Sequence, residues 1–132
     1  PLRAASRPGF LADLHCSSTG KVFLAFVHRD GLTDVLPKPP FLRRTPNTRT
    51  DLPSLLPDLE AIRERGFSID DEEWALGVRC LAAPVADAHG KVVAAIGITA
   101  ATVRFSRERI PEIAGHVLSA ARQLSARIGG AP

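Results

Sequence analysis

The sequence predicts an α+β domain, an antiparallel sheet with helices packed on its faces. Three observations lead there. A long amphipathic pattern closes the chain, two apolar runs joined by a turn signal precede it, and a shorter amphipathic stretch lies ahead of those.

Residues 1–15 mix charges with Pro8 and Gly9 and are expected to form an extended, turning lead-in. In the following CSSTGKVFLAFV, Ser17, Ser18 or Thr19 can cap a helix. Val22 to Val27 are continuously apolar, so that helix is expected to be buried nearly all round. Gly31 breaks the pattern, and the four prolines of LPKPPFLRRTPNTRTD, with Asn47, forbid regular structure over most of that stretch. DLPSLLPDLEAIRERG is an amphipathic helix with Leu55, Leu56, Leu59 and Ile62 on one stripe, prolines near its start and Gly66 to stop it. FSID is a short strand, and DDEEWALG an acidic loop. GVRCLAAPVADAHGKVVAAIGITA has the form of a β-hairpin turning at DAHG. From Ser106 to about Ile128 a helix carries Ile110, Ile113, Val117, Leu118, Ala121, Leu124 and Ile128 on one stripe. Arg107, Arg109, Arg122 and Arg127 lie off it, and Gly129 and Gly130 close it.

Composition narrows the function. The 132 residues suffice for one domain, and 45% hydrophobic content excludes a disordered chain. With six Phe, one Trp and no Tyr the core is aliphatic, and aromatic platforms for stacking bases are not expected. The net charge of +3 is spread along the chain; the close basic pair in a loop is Arg43 and Arg44, which argues against direct nucleic-acid binding. No apolar run approaches the roughly 18 residues of a membrane span, and no secretory signal opens the chain. Cys16 and Cys80 have no metal-ligand spacing, so the expected state is reduced thiols in a cytoplasmic protein with no metal and no cofactor. The absence of Met and the opening PLRAAS are expected of a fragment of something longer.

Three places could carry chemistry. At the start of the first helix, Ser17, Ser18, Thr19 and Gly20 are small, and backbone N–H groups with a positive dipole end suit a carboxylate. Plain capping and close packing account for the same residues. TGK resembles the tail of a phosphate loop, but the first Gly of that motif is missing, which excludes a nucleotide site. In the hairpin, pairing about the turn sets Cys80 opposite Gly97 and Val78 opposite Thr99. Cys80, Ala82, Gly97 and Thr99 then share a face with room for a ligand, while Leu81, Ala83, Val85, Val92, Ala94 and Ile96 form the packed face. A one-residue bulge at Gly90 would swap the faces of one strand. In DDEEW, charge patterning favours a solvated loop; the functional alternative turns Asp70 or Asp71 into the pocket to accept a ligand hydroxyl. His15, His28, His89 and His116 lie in no catalytic motif, so a Cys80 nucleophile lacks an evident base.

LHCSSTGKVFLAF is similar to the "LHATAxGKALLA" signature of the IclR family of bacterial transcription regulators. The stretch from RRTPNTRTD through DDEE, GVRCLAAPV and DAHGKVVAAI resembles that family's effector-binding domain, from about Leu14 to Ile128. The resemblance implies a GAF-like (profilin-like) fold whose pocket takes a small organic acid. It implies ligand contacts at Ser18, Thr19, Gly20, Asp70, Cys80, Gly97 and Thr99. The sequence departs from the family at Ser18, where some members have Gly, and at Gly97, where many have Ser or Asn. The missing Gly97 hydroxyl is expected to leave room for a bulkier ligand or a water.

On that resemblance, residues 1–132 are an effector-sensing domain of a cytoplasmic, homodimeric or homotetrameric regulator such as a repressor. It is expected to be truncated at its N-terminus, to be no enzyme, and to reach DNA only through a winged helix-turn-helix outside this chain. The rivals are a Cys80-dependent small-molecule enzyme and a purely structural oligomerisation domain.

Overall fold

The computed structural model describes residues 13–129, so most of the expected lead-in and Gly130 lie outside the described residues. Helix α1 (Ser18–Phe26) starts because Ser17 stands in extended backbone and its Oγ accepts the Gly20 N–H at 3.0 Å. A one-turn helix α2 (Leu32–Val35) and an irregular proline-rich segment lead to α3 (Leu52–Arg65). Asp51 caps α3 through the Ser54 N–H, and Gly66 ends it in the left-handed conformation (φ 86°). Three strands follow: β1 (Ser68–Asp71), β2 (Val78–Ala86) and β3 (Val92–Ala101). A 3-10 turn at Arg107–Arg109 then enters the long helix α4 (Ile110–Arg127).

The strands form an antiparallel sheet in the order β1-β2-β3. One face carries Leu81, Ala83 and Val85, packed against Ile113, Ala114, Val117 and Ala121 of α4 and against Phe105. Helix α1 lies on the other face, anchored where the Ser68 hydroxyl donates to the Ser18 carbonyl. Its outer side packs on α3, with Leu24 and Ala25 meeting Leu55, Leu59 and Ile62 under Leu36 and Phe41. The predicted fold class is therefore the observed one, helices on both faces of an antiparallel sheet.

Several expectations need correction. Leu56 is exposed, because Leu55, Leu59 and Ile62 alone form the inner stripe of α3. Leu124 and Ile128 are exposed at the far end of α4, past the edge of the sheet core; Ser125 is buried there instead. The hairpin register is displaced by two residues: Cys80 pairs with Thr99, Ala82 with Gly97 and Val78 with Ala101. The turn takes in Lys91, whose carbonyl accepts the Asp87 N–H, and Asp87 Oδ1 accepts the His89 and Lys91 N–H groups. The bulge lies not at Gly90 but where Val85 pairs with Ala94 and Ala86 with Val92, leaving Val93 as the extra residue. The Ala86 N–H there goes to Ser125 Oγ at 3.0 Å, which ties the bulge to α4. A two-residue displacement returns side chains to the same face, so the division into packed and ligand faces holds from Ala94 onward; Val92, expected on the packed face, lies before the bulge and pairs with Ala86, on the Cys80 and Ala82 side of β2. Strand β3 forms one edge of this sheet, and Gly97, Ile98 and Thr99 are exposed in succession along it.

Candidate functional site

On the α1 face of the sheet, Asp70, Cys80 and Thr99 are direct cross-strand neighbours, one residue from each strand. The next row toward the start of α1 is Ser68, Ala82 and Gly97. Burial grades along the first row, from Asp70 at 2% exposure, through Cys80 at 9%, to an exposed Thr99. Ser18 is buried and Thr19 half-buried at the helix start. Asp70 and Cys80 are therefore the buried end of the row, and Thr99 on β3 is its exposed end.

Two of the expected residues have structural work instead. The Gly20 N–H is already taken by Ser17, and a Cβ at Gly20 would lie 2.7 Å from Leu14 Cα and 2.8 Å from its carbonyl oxygen. Gly20 is thus small so that the preceding turn can close against it. At Gly97 a Cβ would overlap the Leu81 carbonyl oxygen and lie 2.9 Å from Ala82. The expected spare room at Gly97 is not there, because strand β2 fills it.

The acidic run DDEEW is not a solvated loop. Asp70 Oδ1 accepts the backbone N–H of Glu73 at 2.8 Å and of Trp74 at 3.2 Å. Asp71 takes Arg79 on one oxygen and Arg107 on the other. Glu72, the described non-glycine residue with positive φ (55°), accepts the Gly77 N–H. Glu73 is buried and binds Lys21. Asp70 and Glu72 are thus satisfied within the β1–β2 turn itself, whereas Asp71 and Glu73 are answered by cations from other elements.

Lys21 is the residue the sequence reading missed. It has no exposed surface, yet its Nζ donates to Asp58 Oδ2 at 2.7 Å, to the Ile69 carbonyl at 2.6 Å and to Glu73 Oε1 at 2.9 Å. Arg49 reaches the same carboxylates at 3.1 Å from Glu73 and 3.5 Å from Asp58. The available signal was a single lysine inside an otherwise apolar helix, TGKVFLAF.

Burial above all pushes the Asp70 carboxyl up to about 6; the Glu73 charge adds to this, while backbone N–H groups and Lys21 oppose it. The Cys80 thiol is pushed up to about 12, again chiefly by burial, and the Asp70 carboxylate reinforces it. Cys16 is raised to about 12 by burial and by Asp13. Both cysteines are free and buried. A nucleophilic thiol needs its pKa lowered, so this environment works against a Cys80-dependent reaction. His15 is committed elsewhere, with Nε2 2.8 Å from the Leu42 carbonyl oxygen. Among the described residues no cluster of three or more His, Cys, Asp or Glu could hold a metal ion. No described helix is long and apolar enough to cross a membrane.

Known proteins resemble this chain in sequence and fold. The family model for the C-terminal domain of the bacterial transcriptional regulator IclR matches residues 1–126. HTH-type transcriptional regulator KdgR of Escherichia coli K12 is 41% identical over 128 residues, covering 97% of this chain and 49% of that protein. The chain thus spans about half the length of the curated relatives it matches. The solved C-terminal domain of that KdgR superposes with a TM-score of 0.79 at 40% identity, covering 88% of this chain and 71% of that one. The Thermotoga maritima IclR structure gives 0.87 at 33% identity, covering 98% and 52%. The inducer-binding domain of PobR from Acinetobacter, a double mutant solved with 3-hydroxybenzoic acid, gives 0.79 at 29% identity, covering 95% and 74%. The α+β architecture is the GAF-like one of these domains, and the relatives are transcription regulators. The chain belongs to the IclR family of bacterial transcriptional regulators and corresponds to its C-terminal domain.

Proposed function

We propose that this chain senses a small organic carboxylate for an IclR-type regulator. The observation that carries the reading is the Asp70, Cys80 and Thr99 row, one pair of residues away from the start of α1. A carboxylate there would meet first-turn N–H groups at Ser18 and Thr19, which have no acceptor within the helix, and the positive end of its dipole. Thr99 and the Cys80 thiol would line the middle. Asp70 would accept from a ligand hydroxyl, and a carboxylate placed directly on it would be repelled. The ligand of lowest energy is therefore a carboxylate with a hydroxyl or other donor several atoms away. The PobR domain solved with 3-hydroxybenzoic acid supports this class, since that molecule has both groups.

In this reading, DNA is bound by a winged helix-turn-helix of the same cytoplasmic protein outside this chain, and the protein is a homodimer or homotetramer. The effector would act by binding one quaternary state better than another, which alters the spacing of the DNA-binding halves. The sensing site would use Ser18, Thr19, Asp70, Cys80 and Thr99, with Gly20 and Gly97 as backbone supports.

A thermal-shift and calorimetry panel of hydroxy-carboxylates, 3-hydroxybenzoate among them, tests this on wild type and Thr19→Arg. A ligand at 100 times its Kd stabilises the wild type by about 2.7 kcal/mol. Thr19→Arg is expected to abolish that gain by filling the rim. A carboxylate that stabilises both proteins equally defeats the site assignment. Cys80→Ser is expected to keep ligand affinity, whereas turnover through a thiol adduct would favour the enzyme.

A further inference from the structure

We infer that Lys21 and Glu73 form a positioning pair that fixes the Asp70 carboxylate relative to the start of α1. The inference rests on the reading that Asp70 and the α1 N-terminus face one ligand. Its own observations are geometric. Lys21 lies in the first turn and a half of α1, three residues after Ser18, and is fully buried. Its ammonium uses one N–H on the Ile69 carbonyl, the residue before Asp70, and another on Glu73. Glu73 in turn is tied to both neighbouring acids and to residues 45–49. Its Oε2 accepts the Asp71 N–H at 3.1 Å, and its own N–H binds Asp70 Oδ1. Its carbonyl accepts the Thr48 hydroxyl at 2.6 Å, and its Oε1 takes Arg49. The shortest tie from α1 to both sides of Asp70 therefore runs through one nitrogen atom.

A lysine that served stability alone would have no reason to bridge the residues flanking Asp70. Asp58 supplies the internal control. It contacts the same ammonium from α3 but makes no bond to the Asp70–Trp74 turn. Breaking Lys21–Asp58 weakens the cluster without releasing the turn; removing Lys21 releases it.

The test compares Lys21→Met, Asp58→Asn and Lys21→Met/Asp58→Asn. The double variant keeps the charge balance should Lys21→Met fail to fold. NMR reads the Asp70 carboxyl titration and the amides of Ser18, Thr19, Glu73 and Trp74 without any ligand. Both proteins lacking Lys21 are expected to raise the Asp70 midpoint by roughly half a unit or more, because a nearby cation is gone. They are also expected to shift the Glu73 and Trp74 amides that bond Asp70, together with those of Ser18 and Thr19. Asp58→Asn is expected to leave all four amides in place while lowering the Tm. Unmoved amides in the Lys21 variants, or equal movement in Asp58→Asn, overturn the inference. Affinity for 3-hydroxybenzoate forms a separate arm, with a loss of about tenfold expected only where Lys21 is replaced. If that compound does not bind the wild type, the carboxylate reading loses its support while the amides still decide the positioning role.

Discussion

Replacing Asp70 with asparagine should stabilise this protein at neutral pH and leave it unchanged in acid. The carboxyl ordinarily titrates near 3.8 and is pushed up to about 6 in the fold, chiefly by burial. Below pH 3.8 the folded and unfolded chains both hold the proton, so Asp70 contributes nothing to the difference. Between 3.8 and about 6 the unfolded chain has lost a proton that the folded chain keeps, so stability falls as pH rises. Above about 6 the penalty is complete. A displacement of about two units at 1.36 kcal/mol each makes it about 3 kcal/mol. Asparagine retains an oxygen to accept the Glu73 and Trp74 N–H groups but carries no charge. Urea unfolding of both proteins at pH 4 and pH 7.5 isolates the effect, because other titrating groups cancel in the difference. The Asn variant should gain about 3 kcal/mol at the higher pH and nearly nothing at the lower, with a Tm gain of roughly 10 °C at pH 7.5. A difference independent of pH, or a destabilised Asn variant at pH 7.5, would refute the burial argument. A residue that weakens its own fold at working pH is what a binding carboxylate looks like before its ligand arrives.

Gly97→Ala should lose about 1–3 kcal/mol in urea unfolding, because the added methyl overlaps the Leu81 carbonyl oxygen; a neutral substitution would show that β3 can swing outward. Ser17→Ala should lose about 1 kcal/mol with the cap on Gly20, and circular dichroism melts would detect it. Iodoacetamide at pH 8 should label neither cysteine in the folded protein and both after denaturation, since burial holds both thiols near 12. Rapid native labelling at Cys80 would revive the nucleophile.

Local pattern carried most of the fold. Alternating and 3.6-residue periodicities placed the hairpin, α1, α3 and α4, because each buries a face that the sequence displays within a few residues. The hairpin register was less legible, since a five-residue turn and a bulge at Val93 depend on Ala86 meeting Ser125, 39 residues away. Of the candidate site, Cys80 and Thr99 share a face as the hairpin pattern implied and Asp70 joins their row, while Ser18 and Thr19 lie at the start of the helix that covers that face. Gly20 and Gly97 belong to packing, a distinction that needs the neighbouring backbone to be seen. The acidic run misled for a related reason. Charge patterning measures a segment against water, whereas Asp71 and Glu73 are answered by Arg107 and Lys21, which lie 36 and 52 residues away. Leu124 and Ile128 continue the α4 stripe beyond the sheet it packs on, and a helical wheel has no knowledge of where a sheet ends.

The edge position of β3 has a practical consequence for handling the protein. Residues 92–101 read VVAAIGITAA, ten positions without a charge or a proline. Sheet edges are ordinarily protected from self-association by such residues, or by a covering segment. Among the described residues β3 pairs only with β2, so its outer row of backbone donors and acceptors meets no described strand. Wherever no further segment covers that edge, concentrated samples invite edge-to-edge aggregation, with Ile98 and Val93 supplying apolar contact. Dilute working solutions, or a lysine placed at Ile98, are the direct remedies.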